Sequence, residues 1–307
     1  MERSHVIALL VLGLVLGSFI AVMASTRDTG GWGAHPVVAV VHLDGAVVAG
    51  PSGGGLLESY TGSDEVVAQL REATEDPQIR AVVLRINSPG GTAPAAQEIS
   101  AGVERLRRAG KPVVASLADM AASGGYWIAA QCDAIISNPA TLTGSIGVLM
   151  EVVNLQELYD MLGMEFETIK SGPYKDLGSA NRPLEEEERA ILQSLVDDIY
   201  EQFIEAVVRG RNMDYDEVLA LADGSVVTGR QAEALGLVDG QGDLEDAINR
   251  AAQLAGLERW SVRTLRRSSP WGWLLGTVEG ARDWFILRGV PAYGWWGRQL
   301  VRLSGWE

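Results

Sequence analysis

Histidine and lysine are the scarce residues of this chain, and their scarcity is the first limit on its chemistry. It holds 3 histidines. His5 precedes an apolar run, His35 sits in a glycine-rich stretch, and His42 lies within a β-branched segment. A Ser-His-Asp triad needs a histidine base, and only His42 falls where a folded domain is expected. An isolated strand histidine reads as structural. The paired-histidine zinc motif, the P-loop and the strand-linked glycine fingerprint of dinucleotide sites are all missing. The lone Cys132 excludes an internal disulfide framework and most metal clusters, and its apolar neighbours mark it as a buried thiol. No motif calls for a metal or a cofactor. The net charge of −15 argues against nucleic acid as a partner.

Charge is missing altogether from Val6–Ala24, a 19-residue apolar run long enough to cross a bilayer as a helix. Small residues at Val22 and Ala24 before Ser25 also fit a signal-peptidase site. The run exceeds the 7–15-residue apolar core usual for a cleaved signal, so the expected state is an uncleaved anchor. Residues 1–36 then form a membrane anchor and linker. Arg3 on one side balances Arg27 on the other, so charge gives no orientation. The expected placement is a single pass in the cytoplasmic membrane, with the folded domain on its outer side.

From Val37 the pattern becomes α/β. Val37–Leu43, Ala81–Ile86 and Val113–Leu117 are short β-branched runs suited to strands buried on both faces. Helical stretches at Asp64–Thr74 and Ala95–Arg108 separate them. Further strands are expected at Ala134–Ser137 and Glu165–Ile169, with a glycine-rich turn at Gly144–Gly147 between them. A long helix from about Leu184 to Arg209 opens on Glu185–Glu188, which suits the positive end of its dipole. Helices at Asp214–Ala222, Arg230–Leu235 and Leu244–Leu254 complete one domain, residues 37–257. This alternation predicts a mostly parallel sheet flanked by helices.

Two short segments carry the candidate chemistry. Met120–Tyr126 follows a buried strand, opens a helix and places Ser123 among small residues. A helix start supplies free N–H groups and a positive field for a developing oxyanion. Upstream, Asn87-Ser88-Pro89-Gly90-Gly91 ends another strand on two glycines and offers a second backbone donor. Either segment alone could be a tight turn; on adjacent strand ends they point to one site. Only Lys111, Lys170 and Lys175 stand against the many arginines. Arginine stays protonated, whereas a desolvated lysine can serve as a base. Lys111, in a helix-to-strand turn, reads as solvated surface, and Lys170 closes a strand. Lys175 lies in a loop between turn residues, where functional groups commonly sit.

Five segments, Arg85–Gly91, Asp119–Tyr126, Leu142–Val148, Lys170–Asp176 and Thr228–Ala232, resemble the signal peptide peptidase A family, in the family's order. The resemblance runs over about residues 37–257 and implies a Clp protease/crotonase-like fold and peptide cleavage by a Ser–Lys dyad. Carried over by position, it makes Ser123 the nucleophile and Lys175 the base. It assigns the oxyanion-hole N–H groups to Gly91 and Gly124, and gives Ser145 the orienting of the lysine amine. Ser145 reads equally as a turn hydroxyl. Leu117-Ala118 departs from the family's frequent Met-Gly. The implied substrates are signal-peptide remnants in the membrane. Single-repeat members assemble into closed rings whose lysine reaches a neighbour's serine, so a homo-oligomer, an octamer, is expected here.

Residues 258–307 are unlike the rest. Seven of the 9 tryptophans lie there, interleaved with eight arginines. That composition suits a membrane-interfacial segment and equally a helical extension packed on protein. Two rival functions remain. A crotonase-like acyl-CoA enzyme would share the oxyanion geometry but leave the anchor and the Ser123/Lys175 pair unexplained. An inactive membrane-protease-type scaffold would have no need of either residue.

Overall fold

The structure is a computed structural model that describes residues 35–54 and 59–265. The expectations for the anchor Val6–Ala24 and for the tail from Trp271 onward lie outside the described residues. Among the described residues, no helix is long and apolar enough to cross a membrane.

The chain opens with β1 (Val37–Asp44) and three short strands, β2 (Ala46–Val48), β3 (Gly53–Gly54) and β4 (Ser59–Gly62). Then come α1 (Ser63–Glu75), β5 (Ile79–Ser88), α2 (Ala93–Arg108), β6 (Val113–Ala122), α3 (Gly124–Ala130), β7 (Ala134–Ser137) and β8 (Leu142–Gly144). The later part holds α4 (Gln156–Met161), α5 (Glu186–Arg211), α6 (Tyr215–Leu221), β9 (Val226–Thr228) and α7 (Gly229–Ala234). It ends on β10 (Gly240–Gln241), α8 (Leu244–Leu254) and β11 (Ser261–Thr264). The main sheet runs β10-β7-β6-β5-β1-β11, all parallel, with β8 added beside the far end of β6 and β9 antiparallel to β8. A small second sheet, β2-β4-β3, packs beside the C-terminal ends of β1 and β5.

Both faces of the main sheet are covered, which is why its central strands are continuous apolar runs. In β1, Ala39, Val41 and Leu43 join the larger core with α1, α2, α3 and α5. Val38 and Val40 face the other way, against Ala247, Ala251 and Ala252 of α8. The helices supply matching stripes, such as Ile99, Val103 and Leu106 of α2, all fully buried. Truncating a residue such as Ile99 to alanine would cost about 2–5 kcal/mol.

Three differences from the sequence reading are physical. β11 pairs with β1 in register from Val37↔Ser261 to Val40↔Thr264, and Trp260 packs on the second core. The folded domain therefore continues to Leu265, past the expected boundary at 257. The strand expected at Glu165–Ile169 does not form; its alternating pattern has no partner strand, and Ile169 is 94% exposed. Lys111 is not simply solvated. Its Nζ donates to the carbonyls of Ala73, Thr74 and Asp76, closing the C-terminus of α1.

Candidate active site

β5 and β6 lie side by side and parallel, so their C-terminal ends deliver two turns to the same place. The first turn runs Ser88-Pro89-Gly90-Gly91. Buried Ser88 Oγ accepts the Gly90 N–H at 3.1 Å and fixes the bend. Gly90 has φ +112, and a Cβ on it would stand 2.9 Å from both Ser123 Cβ and the Gly124 nitrogen. No other residue fits this position. The strand β2 runs alongside: Val47 N–H donates to Gly90 O, and Thr92 N–H donates to Val47 O, both at 2.9 Å. These two bonds flank Gly91.

The second turn joins β6 to α3. Ser123 is the N-cap of α3, with φ 51 and ψ −122, a conformation that an L-residue adopts only under strain. Its N–H donates to Gly144 O at 2.9 Å, and its carbonyl accepts the first helical bond from Trp127 N–H. From Ala121 to Ala130 every residue is buried except Ser123. The chain thus spends backbone strain on bringing one hydroxyl to the surface of a dry helix start.

Beside Ser123 opens a cleft of about 760 Å³. Gly91, Gly124 and Ser145 line it together with Ser123. Ser145 also has positive φ, 50°, and its N–H donates to Ser225 O at 2.8 Å, so β8 and the turn before β9 hold it in place. The far wall is apolar, with Tyr200 and Phe203 of α5 and Trp127 of α3. Trp127 and Phe203 stack with ring centroids 4.7 Å apart. Asp197 and Asp223 stand on the rim, and the hydrogen bonds from Ser225 hold the Asp223 carboxyl below its ordinary value. A hydroxyl at a helix start, in a cleft with an apolar wall, is suited to attack on an acyl or peptidyl substrate.

Lys175 stands elsewhere. It is exposed and is not among the residues lining the cleft; its backbone N–H donates to Gly172 O at 3.3 Å. The segment that leads to it, residues 150–174, includes α4 and exposes apolar side chains, among them Met161, Leu162 and Ile169. The structure therefore brings four of the five sequence-derived residues into one cleft and leaves the fifth on an outer surface of the same chain. His42 lies exposed on β1 beside Asp44, and does not line the cleft. Burial pushes the Cys132 thiol well above its ordinary value, which leaves it inert.

Sequence reasoning missed two features. One is the aromatic wall, whose residues come from two helices far apart in the chain. The other is a charged network next to Lys175. Asp176 accepts from Lys170 Nζ at 2.7 Å and from Arg182 Nε at 3.0 Å, and Arg182 also grips Glu188 through two nitrogens. The guanidinium holds Glu188 down to about 2 and the Asp176 carboxyl far below the usual range. The only sequence signal was the acidic first turn of α5.

Comparison with known proteins adds a second line. The model of peptidase family S49 matches residues 105–258, a stretch that contains Ser123, Gly124, Ser145 and Lys175. A Synechocystis protein provisionally named a protease is 46% identical over 198 residues, covering 64% of this chain and 71% of its own. Protease 4 of Salmonella typhi is 38% identical over 240 residues, 78% of this chain and 37% of that protein. A protein of Enterococcus faecium provisionally named a signal peptide peptidase is 39% identical over 183 residues, 60% and 53% of the two chains. This chain thus spans little more than a third of the Salmonella protein's length.

Proposed function

The chain belongs to peptidase family S49, and on that premise we propose that it is a membrane-bound serine endopeptidase that degrades residual signal peptides through a Ser123–Lys175 dyad. The observation that carries this reading is the strained turn at Ser123, which lifts one hydroxyl into an apolar cleft beside Gly91 and Gly124. In the proposed reaction, neutral Lys175 takes the proton from Ser123 Oγ as the oxygen attacks the scissile carbonyl. The carbonyl oxygen, now negative, rests on the N–H groups of Gly91 and Gly124. The lysine ammonium gives its proton to the leaving amine, which departs and leaves an acyl-enzyme. Lys175, neutral again, then takes a proton from a water as that water attacks the ester, and returns it to Ser123 Oγ as the acyl group leaves.

A lysine serves as base only when neutral, and desolvation favours that state. Lys175 is exposed in the single chain, so the reading places its amine in the cleft of a neighbouring subunit. The exposed apolar side chains of the segment before it, among them Met161, Leu162 and Ile169, support such a contact. The apolar wall of the cleft supports a substrate drawn from the membrane-spanning part of a signal peptide. The apolar run Val6–Ala24 supports a membrane-held enzyme; a substrate left in the membrane after preprotein cleavage is the reason to propose residues 37 onward outside the cytoplasm. The tail after Leu265, rich in tryptophan and arginine, is read as a second membrane contact.

A fluorophosphonate probe tests the core of the proposal. It should label Ser123, as located by mass spectrometry, and label no serine in Ser123→Ala. A cleavage assay on a synthetic apolar signal-peptide remnant in lipid vesicles should lose all turnover in the same variant. Labelling at another serine, or undiminished cleavage by Ser123→Ala, would overturn it.

A further inference from the structure

We infer that Asp176, Arg182 and Glu188 form a clamp that positions Lys175, by pinning its loop to the first turn of α5. The inference rests on the dyad proposed above and adds three residues to it. The loop from Ser171 to Ser179 contains Gly172, Pro173 and Gly178 and no helix or strand; its backbone bonds, such as Leu177 N–H to Tyr174 O and Ser179 N–H to Asp176 O, close turns within the loop itself. Its tie to α5 is ionic. Asp176, next to Lys175 in the chain, gives one carboxylate oxygen to Lys170 and the other to Arg182. Lys170 Nζ also donates to Pro173 O at 2.9 Å, tying the near side of the loop to the same point.

Arg182 carries the hold onward. Its Nη1 and Nη2 reach Oε2 and Oε1 of Glu188 at 2.8 and 2.5 Å, a two-pronged contact that lysine's single ammonium could not make. Glu188 is nearly buried, at 1% exposure, so its charge requires this partner. Glu188 also accepts the Glu185 N–H at 3.0 Å within the capping box of α5. The capping box accounts for Glu188 alone. It does not account for an arginine that spans from Glu188 to the residue beside Lys175. Further along α5, Tyr200 and Phe203 form the wall of the cleft. One rigid helix therefore carries both the cleft wall and the anchor of the lysine loop.

A purely structural brace and a positioning clamp differ in what they do to the chemistry. Removing Arg182 leaves Asp176 with Lys170 as its remaining cation, so a less compensated carboxylate stands beside Lys175. That carboxylate favours the ammonium over the neutral amine. Losing the clamp should therefore reduce turnover and also move the acid limb of its pH profile upward.

The test uses the full-length protein in detergent or vesicles, with particle size and thermal melting recorded for every variant. Arg182→Met should lower kcat about ten- to a hundredfold, leave KM within about twofold, and move the acid limb of kcat to higher pH. Arg182→Lys should fall between it and the parent. Adding Asp176→Asn to Arg182→Met should return the limb to its original pH while kcat stays low. Arg189→Met, on the same helix, should behave as the parent. If Arg182→Met does not fold, Asp176→Asn alone carries the test and should lower kcat with KM kept. A parental kcat and limb in the Arg182 variant, or in Asp176→Asn where that one stands in, would overturn the clamp. So would a loss that merely tracks dissociation or melting. Lys175→Ala runs beside them: if it cleaves normally, the dyad itself fails, whatever the Arg182 variants do.

Discussion

Gly91 and Val47 touch backbone to backbone: a Cβ placed on Gly91 would stand 1.8 Å from the Val47 carbonyl oxygen. That oxygen already accepts the Thr92 N–H, and the Val47 N–H is spent on Gly90 O, so β2 cannot easily withdraw. Gly91→Ala must therefore displace the turn. We expect a fall in kcat of about 10²–10³, the size seen when one oxyanion donor is lost, together with a lower melting temperature. Turnover and calorimetry on the same preparation check both. Parental kcat in Gly91→Ala would remove Gly91 from the oxyanion hole.

Ser123 makes the opposite case, because there the strain is local and removable. At φ 51 and ψ −122 a glycine is at ease, whereas alanine keeps the Cβ that makes the conformation costly. Ser123→Gly and Ser123→Ala should both be inactive, but the glycine variant should be the more stable by about 1 kcal/mol. Denaturant unfolding of the two decides it. Equal stability would mean that the turn is not strained.

Much of this was legible in the sequence, for reasons that can be traced to particular residues. Strands such as Val37–Asp44 were readable because burial on both faces forces a continuous β-branched run. The turn at Ser123 was readable because small residues are needed on both sides of it. β8, β9 and β10 were not, since two or three residues carry no periodicity. β11 was hidden because Val262 and Arg263 lie at the sheet edge, with polar and apolar residues mixed. Phe166 misled: it packs on Tyr159, centroids 4.8 Å apart, and not in a strand. The clamp at Arg182 was invisible because its partners lie six residues away on either side, a spacing that belongs to no regular element.

Acid should find the clamp before it finds the core. Arg182 first, and the Glu185 N–H second, hold Glu188 at about 2 against an ordinary value of 4.5. A carboxyl depressed on folding binds fewer protons in the native state than in the unfolded one, so its contribution is complete above the unfolded value. It is then lost as pH falls from about 4.5 towards about 2. Asp176 adds to the loss in the same direction. Melting temperature should drop over this window in the parent and drop less steeply in Glu188→Gln. Parallel curves for the two proteins would show that Glu188 is not the depressed group.

Lys175→Arg separates charge from basicity. Arginine keeps the positive charge and a similar reach but cannot accept the Ser123 proton. If Lys175 is the base, Lys175→Arg should be as inactive as Lys175→Ala in the remnant-cleavage assay. If it only attracts or holds substrate through its charge, the arginine variant should retain substantial turnover.

The last prediction concerns where serine and lysine meet. Ser123 lies in a cleft that Lys175 of the same chain does not line, and Lys175 is exposed, after a segment that exposes apolar side chains. A dyad shared between neighbouring subunits accounts for both facts, and it makes a demand that a dyad within one chain cannot meet. Dissociated Ser123→Ala chains and Lys175→Ala chains, each inactive alone, are mixed and allowed to reassemble. Where a Lys175→Ala subunit lends its intact serine to the intact lysine of a Ser123→Ala neighbour, a complete site forms. In a ring with random order and one-directional contacts, about a quarter of the contacts in an equal mixture have that arrangement, which follows from closed head-to-tail symmetry. We expect activity to return to about that share of the parent's, and to scale with the product of the two variants' mole fractions. Mixing without dissociation should restore nothing until subunits exchange. If reassembled mixtures stay inactive at every ratio while the particles reform at full size, the two residues do not meet across a subunit contact.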